Sequence, residues 1–470
     1  MAATNRPGLR ILTWIVLLWP AAAVAQGTRA SGFRLPNGLR VLVSERRTAP
    51  LLAMELWVRA GAREEAAGET GAAHFLEHTL FKGTVTRGVG EADTAIENLG
   101  ATLNAATGPD YARFYTSVGT EHASLALAVL ADVVRNATLP APEVERERQV
   151  IRDELAQRDS QPSAALVDRL YGTAFRGRPY ANPPGGTARA IGTLSRDSLS
   201  AFYRRTYVPA RCTLVLAGDV TAEQARAMAE QAFGDWRPAG SGDEAEAGRD
   251  PGRAGSPAPN DAGAALPTAE PVRQVESADI GTAIIGVAYR APAAADGQAA
   301  RAGEIVATLL GQSNLGGRLA VPELAGCGAR VSFAARRDSS LFIVSAAPPP
   351  GPAGRPRTPA ELAASLVLEE QAILGAVAAL STTPPGPAEI AAAKSALLGR
   401  SIFQTETASG LAAAMGGAAV TEGRSPEAWR DELASVTVAD VRRFIATWLV
   451  PGGRTTVLLV PTREMPAARP

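Results

Sequence analysis

The ends of the two halves of this 470-residue chain resemble each other, and that repeat limits the folds open to it. Shifting the register by 242 carries residues 198–216 onto 440–458. Phe202 then falls on Phe444, Val208-Pro209 on Val450-Pro451, and Thr213 on Thr455. Each copy has an amphipathic helical pattern, a proline-marked turn and an apolar strand. A match at the close of each half implies an internal duplication, so the fold must be built from two like units.

Composition marks the seam between them. Residues 238–273 are rich in Gly, Pro, Asp and Ala and lack apolar periodicity, which reads as a flexible linker. Residues 26–237 form the expected amino-terminal half and 274–470 its structural homologue. In the first half, residues 33–35, a Pro36-Asn37-Gly38 turn and residues 39–43 read as a hairpin. A buried strand at 51–58 follows, and residues 283–289 play that part in the second half. Long helical patterns run over 121–136 and 141–158, then over 358–380 and 388–404. Strands at the ends with helices between predict an α+β fold. Each half is expected to be a mostly antiparallel sheet backed by helices.

Residues 1–25 read as a secretory signal. Arg6 and Arg10 precede the apolar run 11–18, and Ala23-Val24-Ala25 is a small-x-small cleavage site. An exported, periplasmic protein is expected, with an uncleaved anchor as the alternative. No other segment reads as long and apolar enough to span a membrane. Lys plus Arg equal Asp plus Glu at 47 each, so net charge makes no case for nucleic acid. Cys212 and Cys327 lie in different halves, and separate buried thiols are the default reading.

The chain has three histidines, and two of them frame His74-Phe75-Leu76-Glu77-His78. Four residues make about one helical turn, so His74 and His78 share a face and can hold one metal ion. Glu77 lies beside the pair, within reach of a proton on an activated water. The competing reading is a helix with two satisfied histidines. Catalytic zinc sites use three protein ligands, so a third donor is required. His122, beside Glu121 at a helix start, reads as a surface or capping residue. Glu147 and Glu154 are seven apart and share a helix face near Val150 and Ile151. They are candidates, against the alternative of a solvated helix with internal ion pairs.

The run from Gly71 to Thr84 resembles the zinc motif of the insulinase/pitrilysin metallopeptidases, most closely the short-chain branch that includes mitochondrial processing peptidase. The likeness extends over about residues 33–461. It implies that Zn²⁺ is held by His74, His78 and Glu154, with Glu147 supporting the site and Glu77 as general base. It implies that the strand containing Asn104 and Ala105 pairs with the backbone of a peptide or unfolded polypeptide substrate. The segments Arg178-Pro179-Tyr180 and Gly185-Gly186-Thr187 resemble a family loop, and equally read as plain turns. Self-sufficient members carry an arginine and a tyrosine in the second half that bind substrate and stabilise the oxyanion. Arg318-Leu319 and Gly328 align with that segment, which puts Leu324 and Val331 at the two functional positions. Neither aliphatic side chain donates a hydrogen bond. The expectation is a zinc-bearing subunit whose homologous partner supplies the Arg/Tyr pair. A catalytic homodimer and a non-catalytic assembly subunit are the alternatives.

Overall fold

The computed structural model describes residues 30–237, 270–311, 317–351 and 355–465. The expected leader and nearly all of the expected linker lie outside the described residues. Val272 and Arg273, assigned to the linker by composition, instead open a strand.

The first half contributes six strands: β1 (Ala30–Arg34), β2 (Arg40–Glu45), β3 (Leu51–Val58), β4 (Asn104–Thr107), β5 (Ala112–Gly119) and β6 (Cys212–Gly218). They form one sheet in the order β1-β2-β6-β3-β5-β4. The second half contributes β7 (Val272–Ala278), β8 (Ile284–Ala291), β9 (Arg330–Phe333), β10 (Ser340–Ala346) and β11 (Thr455–Pro461), in the order β7-β11-β8-β10-β9. Removing β1 makes the two orders the same. Each sheet is antiparallel except at one pair, β2 with β6 and β7 with β11, which fall at equivalent places. The β1–β2 hairpin turns where the sequence reading placed it, and it has no counterpart among the described residues of the second half.

The first-half helices are α1 (Ala72–Leu80), α2 (Glu91–Glu97), α3 (Ala123–Arg135), α4 (Ala141–Asp159), α5 (Pro162–Ala174), α6 (Ala188–Thr193), α7 (Arg196–Thr206) and α8 (Ala222–Phe233). Those of the second half are α9 (Gly297–Gly311), α10 (Pro359–Thr382), α11 (Pro387–Gln404), α12 (Ala408–Gly417), α13 (Pro426–Ser435) and α14 (Val438–Trp448). Their starts follow local chemistry. Pro lies in the first turn of α4, α5, α10 and α11, where its missing N–H costs nothing. Thr358 and Glu361 form a capping box on α10, as Thr437 and Asp440 do on α14. The repeated segments become α7–β6 and α14–β11, so the sequence match marks equivalent elements.

α10 corrects one sequence expectation. By length and hydropathy it is apolar enough to cross a membrane. Its alanine-rich sequence hides the stripe Leu362, Leu366, Ile373, Val377 and Leu380, which packs on the second sheet. Glu369 and Glu370 lie in its middle, both buried.

Both faces of each sheet are covered, and the two covers come from different halves. Leu52, Met54 and Leu56 of β3 face the helices of their own half. Ala53 and Trp57, on the opposite face, pack with Val215 and Ala217 against Leu411, Ala412 and Met415 of α12. Reciprocally, Leu166 and Leu170 of α5 cover Ile284, Ala288, Val457 and Leu459 of the second sheet. The halves are therefore interlocked by an exchange of equivalent helices. Gly416 makes the approach possible, because a Cβ there would lie 2.0 Å from Trp57 Nε1.

Glu55 is buried at this interlock. Trp57 Nε1 donates to its carboxylate at 2.8 Å, and Arg113 lies 3.7 Å away. Burial nevertheless pushes Glu55 from the ordinary 4.5 up to about 7. Between those values the folded chain keeps a proton that the unfolded chain has released. This contribution to stability is therefore present at low pH and lost as pH rises through the folded value. In calorimetry from about pH 5 to pH 8, the parent should lose about 3 kcal/mol more stability than Glu55→Gln.

Candidate metal centre

α1 opens at Gly71, whose φ of 90° is left-handed. Gly71 has no side chain with which to cap the helix. Glu65 does it instead, accepting from the N–H groups of Gly71 and Ala73 at 3.0 Å each. Burial pushes Glu65 up to about 8 despite these bonds. Gly186, in the loop at 183–187, packs directly on Gly71. A Cβ at 186 would lie 2.6 Å from the Gly71 Cα. The start of α1 is thus pinned by a buried carboxyl and a glycine-to-glycine contact.

From this helix His74 and His78 project side by side, their rings 4.8 Å apart and nearly perpendicular. α4 packs across α1 and brings Glu154 to them. Glu154 Oε2 lies 3.7 Å from His74 Nε2 and 3.3 Å from His78 Nε2. Ligands at zinc distances around one tetrahedral centre are about 3.3–3.5 Å apart, so the donor set fits one ion. Burial, with the neighbouring His78 adding to it, lowers the pKa of His74 and favours the neutral, ligating imidazole. Nδ1 of His74 is buried and faces the backbone of Gly185.

Glu147 lies one step behind the donors. It is buried, and its Oε2 lies 3.1 Å from His78 Nδ1. A proton on Nδ1 leaves Nε2 free toward Glu154, which is the arrangement that orients metal-binding histidines. The other Glu147 oxygen is held by Lys82 Nζ at 3.0 Å. Glu77 sits half-buried on α1 between the two histidines. The competing picture of Glu147 and Glu154 as a solvated face with internal ion pairs does not hold for Glu147, whose partners are His78 on α1 and Lys82 just beyond its end.

Asn104 and Ala105 begin β4, the edge strand of the first sheet; residues 100–103 precede it. His122 is half-exposed and its side chain makes no capping bond, so only the surface part of its reading stands. Leu324 is buried in a short 3-10 turn, and Val331 lies on β9. Cys212 and Cys327 are both free and buried. Sequence reasoning missed Lys82 and Glu65. Lys82 stands one turn beyond His78, which was the available signal. Glu65 had none, because its contacts cross the left-handed Gly71.

The sequence model "Insulinase (Peptidase family M16)" matches residues 40–188, the segment that carries this cluster, and "Peptidase M16 inactive domain" matches 193–397. The chain belongs to the M16 peptidase family. An uncharacterized zinc protease of Mycobacterium tuberculosis is 36% identical over 215 residues, covering 46% of this chain and 48% of the relative. Cytochrome b-c1 complex subunit 1 of Bos taurus is 34% identical over 200 residues, covering 43% and 42%. The chain thus spans about half the length of the curated relatives it matches. The crystal structure of a protease from Helicobacter pylori superposes with a TM-score of 0.80 at 21% identity, over 92% of this chain and all of that one. At that identity the likeness is one of fold.

Proposed function

We propose that this M16 chain is a zinc endopeptidase acting on peptides or small unfolded polypeptides. The convergence of two imidazole nitrogens and the Glu154 carboxylate oxygen carries the reading. His74, His78 and Glu154 would hold the ion, which when bound supplies the Lewis acidity that activates water and polarises the scissile carbonyl. Glu77 takes the proton of the attacking water and delivers it to the leaving amine. Glu147 fixes the His78 tautomer, and Lys82 holds Glu147 in place. Asn104 and Ala105, on an unpaired sheet edge, pair with the substrate backbone.

The chain is further proposed to work beside a partner of similar size and fold that contributes an arginine and a tyrosine. Leu324 and Val331 support this, since neither has a donor to offer. So do relatives whose names describe them as subunits, including a probable mitochondrial-processing peptidase subunit beta of Arabidopsis thaliana. The pattern over 1–25 supports an exported, periplasmic location.

Purifying the chain alone tests both parts. About one zinc per chain is expected, with weak peptide hydrolysis that rises when the partner is added. Absence of bound zinc at saturating metal sinks the endopeptidase reading, and full activity without a second protein sinks the partner.

Lys82→Met leaves the buried Glu147 carboxylate one partner short. Zinc affinity is expected to fall roughly 10-fold or more, measured by competition with a chromophoric chelator. Unchanged affinity would mean that Lys82 does not position the site.

A further inference from the structure

The second half contains its own version of the metal centre, with different side chains. α9 repeats α1: Phe75, Leu76 and Leu80 of α1 are buried where Ile305, Val306 and Leu310 of α9 are buried. In that register His74 falls on Glu304, Glu77 on Ala307 and His78 on Thr308. α11 repeats α4 in the same way, with buried Val144 and Glu147 falling on buried Ile390 and Ala393. Glu154 then falls on Arg400. α11 packs on α9 as α4 packs on α1, and the edge strand β9 stands where β4 stands.

These equivalent residues line a real cleft of about 310 Å³, bounded by Glu304, Thr308, Arg330, Val331 and Arg400. Its chemistry is reversed. The first half gathers two imidazoles and a carboxylate, a set for a cation. The second places a guanidinium, Arg400, in the position of the carboxylate. Arg400 Nη2 donates to Thr308 Oγ1 at 3.4 Å, a long bond that leaves its other donors open. Arg330 of β9 borders the same cleft and is exposed. Among the described residues neither arginine has an acidic partner. Glu304, the one acid in the cleft, is already taken: Arg301 Nη1 lies 2.9 Å from one oxygen, and Trp429 Nε1 donates to the other at 3.0 Å. Among the described residues the cleft therefore presents unpaired positive charge beside an unpaired strand edge.

We propose that this cleft binds an acidic side chain of an extended peptide that adds to the open edge of β9. The strand edge supplies backbone pairing, Arg400 supplies charge-assisted hydrogen bonds to the carboxylate, and Arg330 adds positive charge at the rim. Alternation along β9 ranks the two arginines, because the cleft lies on the helix side of the strand and Arg330 stands at its rim. Val331 and Phe333 turn toward the sheet's helices, and Arg330 and Ser332 turn outward. The site uses none of the metal-centre residues. In the proposed endopeptidase it is a second contact for the substrate, selecting acidic residues at a distance from the cleaved bond. That role rests on the endopeptidase reading, whereas the binding itself does not.

The test uses the full chain carrying Glu77→Gln, so that no peptide is consumed. Fluorescein-labelled, carboxy-amidated peptides of about ten residues, built from Ser, Ala and Val, carry one central Glu or one central Gln. A third peptide lacks Glu and ends in a free carboxylate. Fluorescence anisotropy should show about ten-fold tighter binding of the Glu peptide than of the Gln peptide, weakening as salt rises. Arg400→Gln should abolish the preference, Arg330→Gln should reduce it, and Arg400→Lys should keep most of it. Arg400 is exposed, so these variants are expected to melt with the parent. Equal affinity for the Glu and Gln peptides overturns the proposal. A preference that survives Arg400→Gln places acidic binding elsewhere and also overturns it. Tight binding of the free-carboxylate peptide alone replaces a side-chain site with a chain-end site and overturns it too. A metal centre that fails to bind zinc leaves all these outcomes readable, so the two readings fail separately.

Discussion

Glu77→Gln is expected to leave zinc content unchanged and to cut peptide hydrolysis by about 10³-fold. Glu77 is not among the three converging donors. The amide is nearly the same size as the carboxylate, and Glu77 is only half-buried, so packing of α1 should be kept. What the amide cannot do is accept the proton of the attacking water and pass it on. The loss should appear in kcat with little change in KM. The variant's metal content comes from atomic absorption and its rate from a quenched fluorescent peptide. A rate near that of the parent would remove Glu77 from the mechanism.

Glu154→Ala is expected to act on the metal itself. The Glu154 side chain is 50% exposed, and its ionisable neighbours within 4 Å are the two imidazoles. Its removal should cost little folding stability but leave a two-donor site, one short of what zinc centres use. Bound zinc should fall to a small fraction of one per chain. A chelator should lower the Tm of the parent, because the ion binds only the folded form, and leave the Tm of the variant unmoved. Stoichiometric zinc in the variant would show that Glu154 is not a ligand. Together the two substitutions separate loss of proton transfer from loss of the ion.

The legible parts of this site are those written in local periodicity. His74 and His78 are one turn apart, so any helix through them brings them together. Glu147 and Glu154 are two turns apart, so one face holds both. What spacing could not give was the crossing of α1 by α4, which the family resemblance supplied. Lys82 stayed hidden because a lysine after a helix reads as an ordinary solvated charge. Its partner Glu147 is distant in sequence. Glu65 stayed hidden for a related reason, since it caps a helix entered through the left-handed Gly71.

The fold was legible to the same depth. α+β halves followed from apolar periodicity, and β3 was read with its observed bounds. The exchange of α5 and α12 was not. An amphipathic helix shows that it has a buried face without showing which sheet the face meets. The nearly continuous apolar run of β3 likewise signals burial on both faces without showing that different halves cover them. Arg400 and Thr308 went unnoticed because nothing in α9 or α11 spells a motif. Their meaning comes only from superimposing one half on the other.

The helix exchange has a consequence for biosynthesis. When the first half has left the ribosome, Ala53, Trp57, Val215 and Ala217 form an apolar surface whose cover has not yet been made. At about 5–20 residues per second, the delay until α12 emerges is roughly ten seconds or more. During that interval the nascent chain carries an open sheet face, an invitation to aggregation or to a chaperone. The same holds for any fragment cut between the halves, so either half expressed alone should be sticky and poorly soluble.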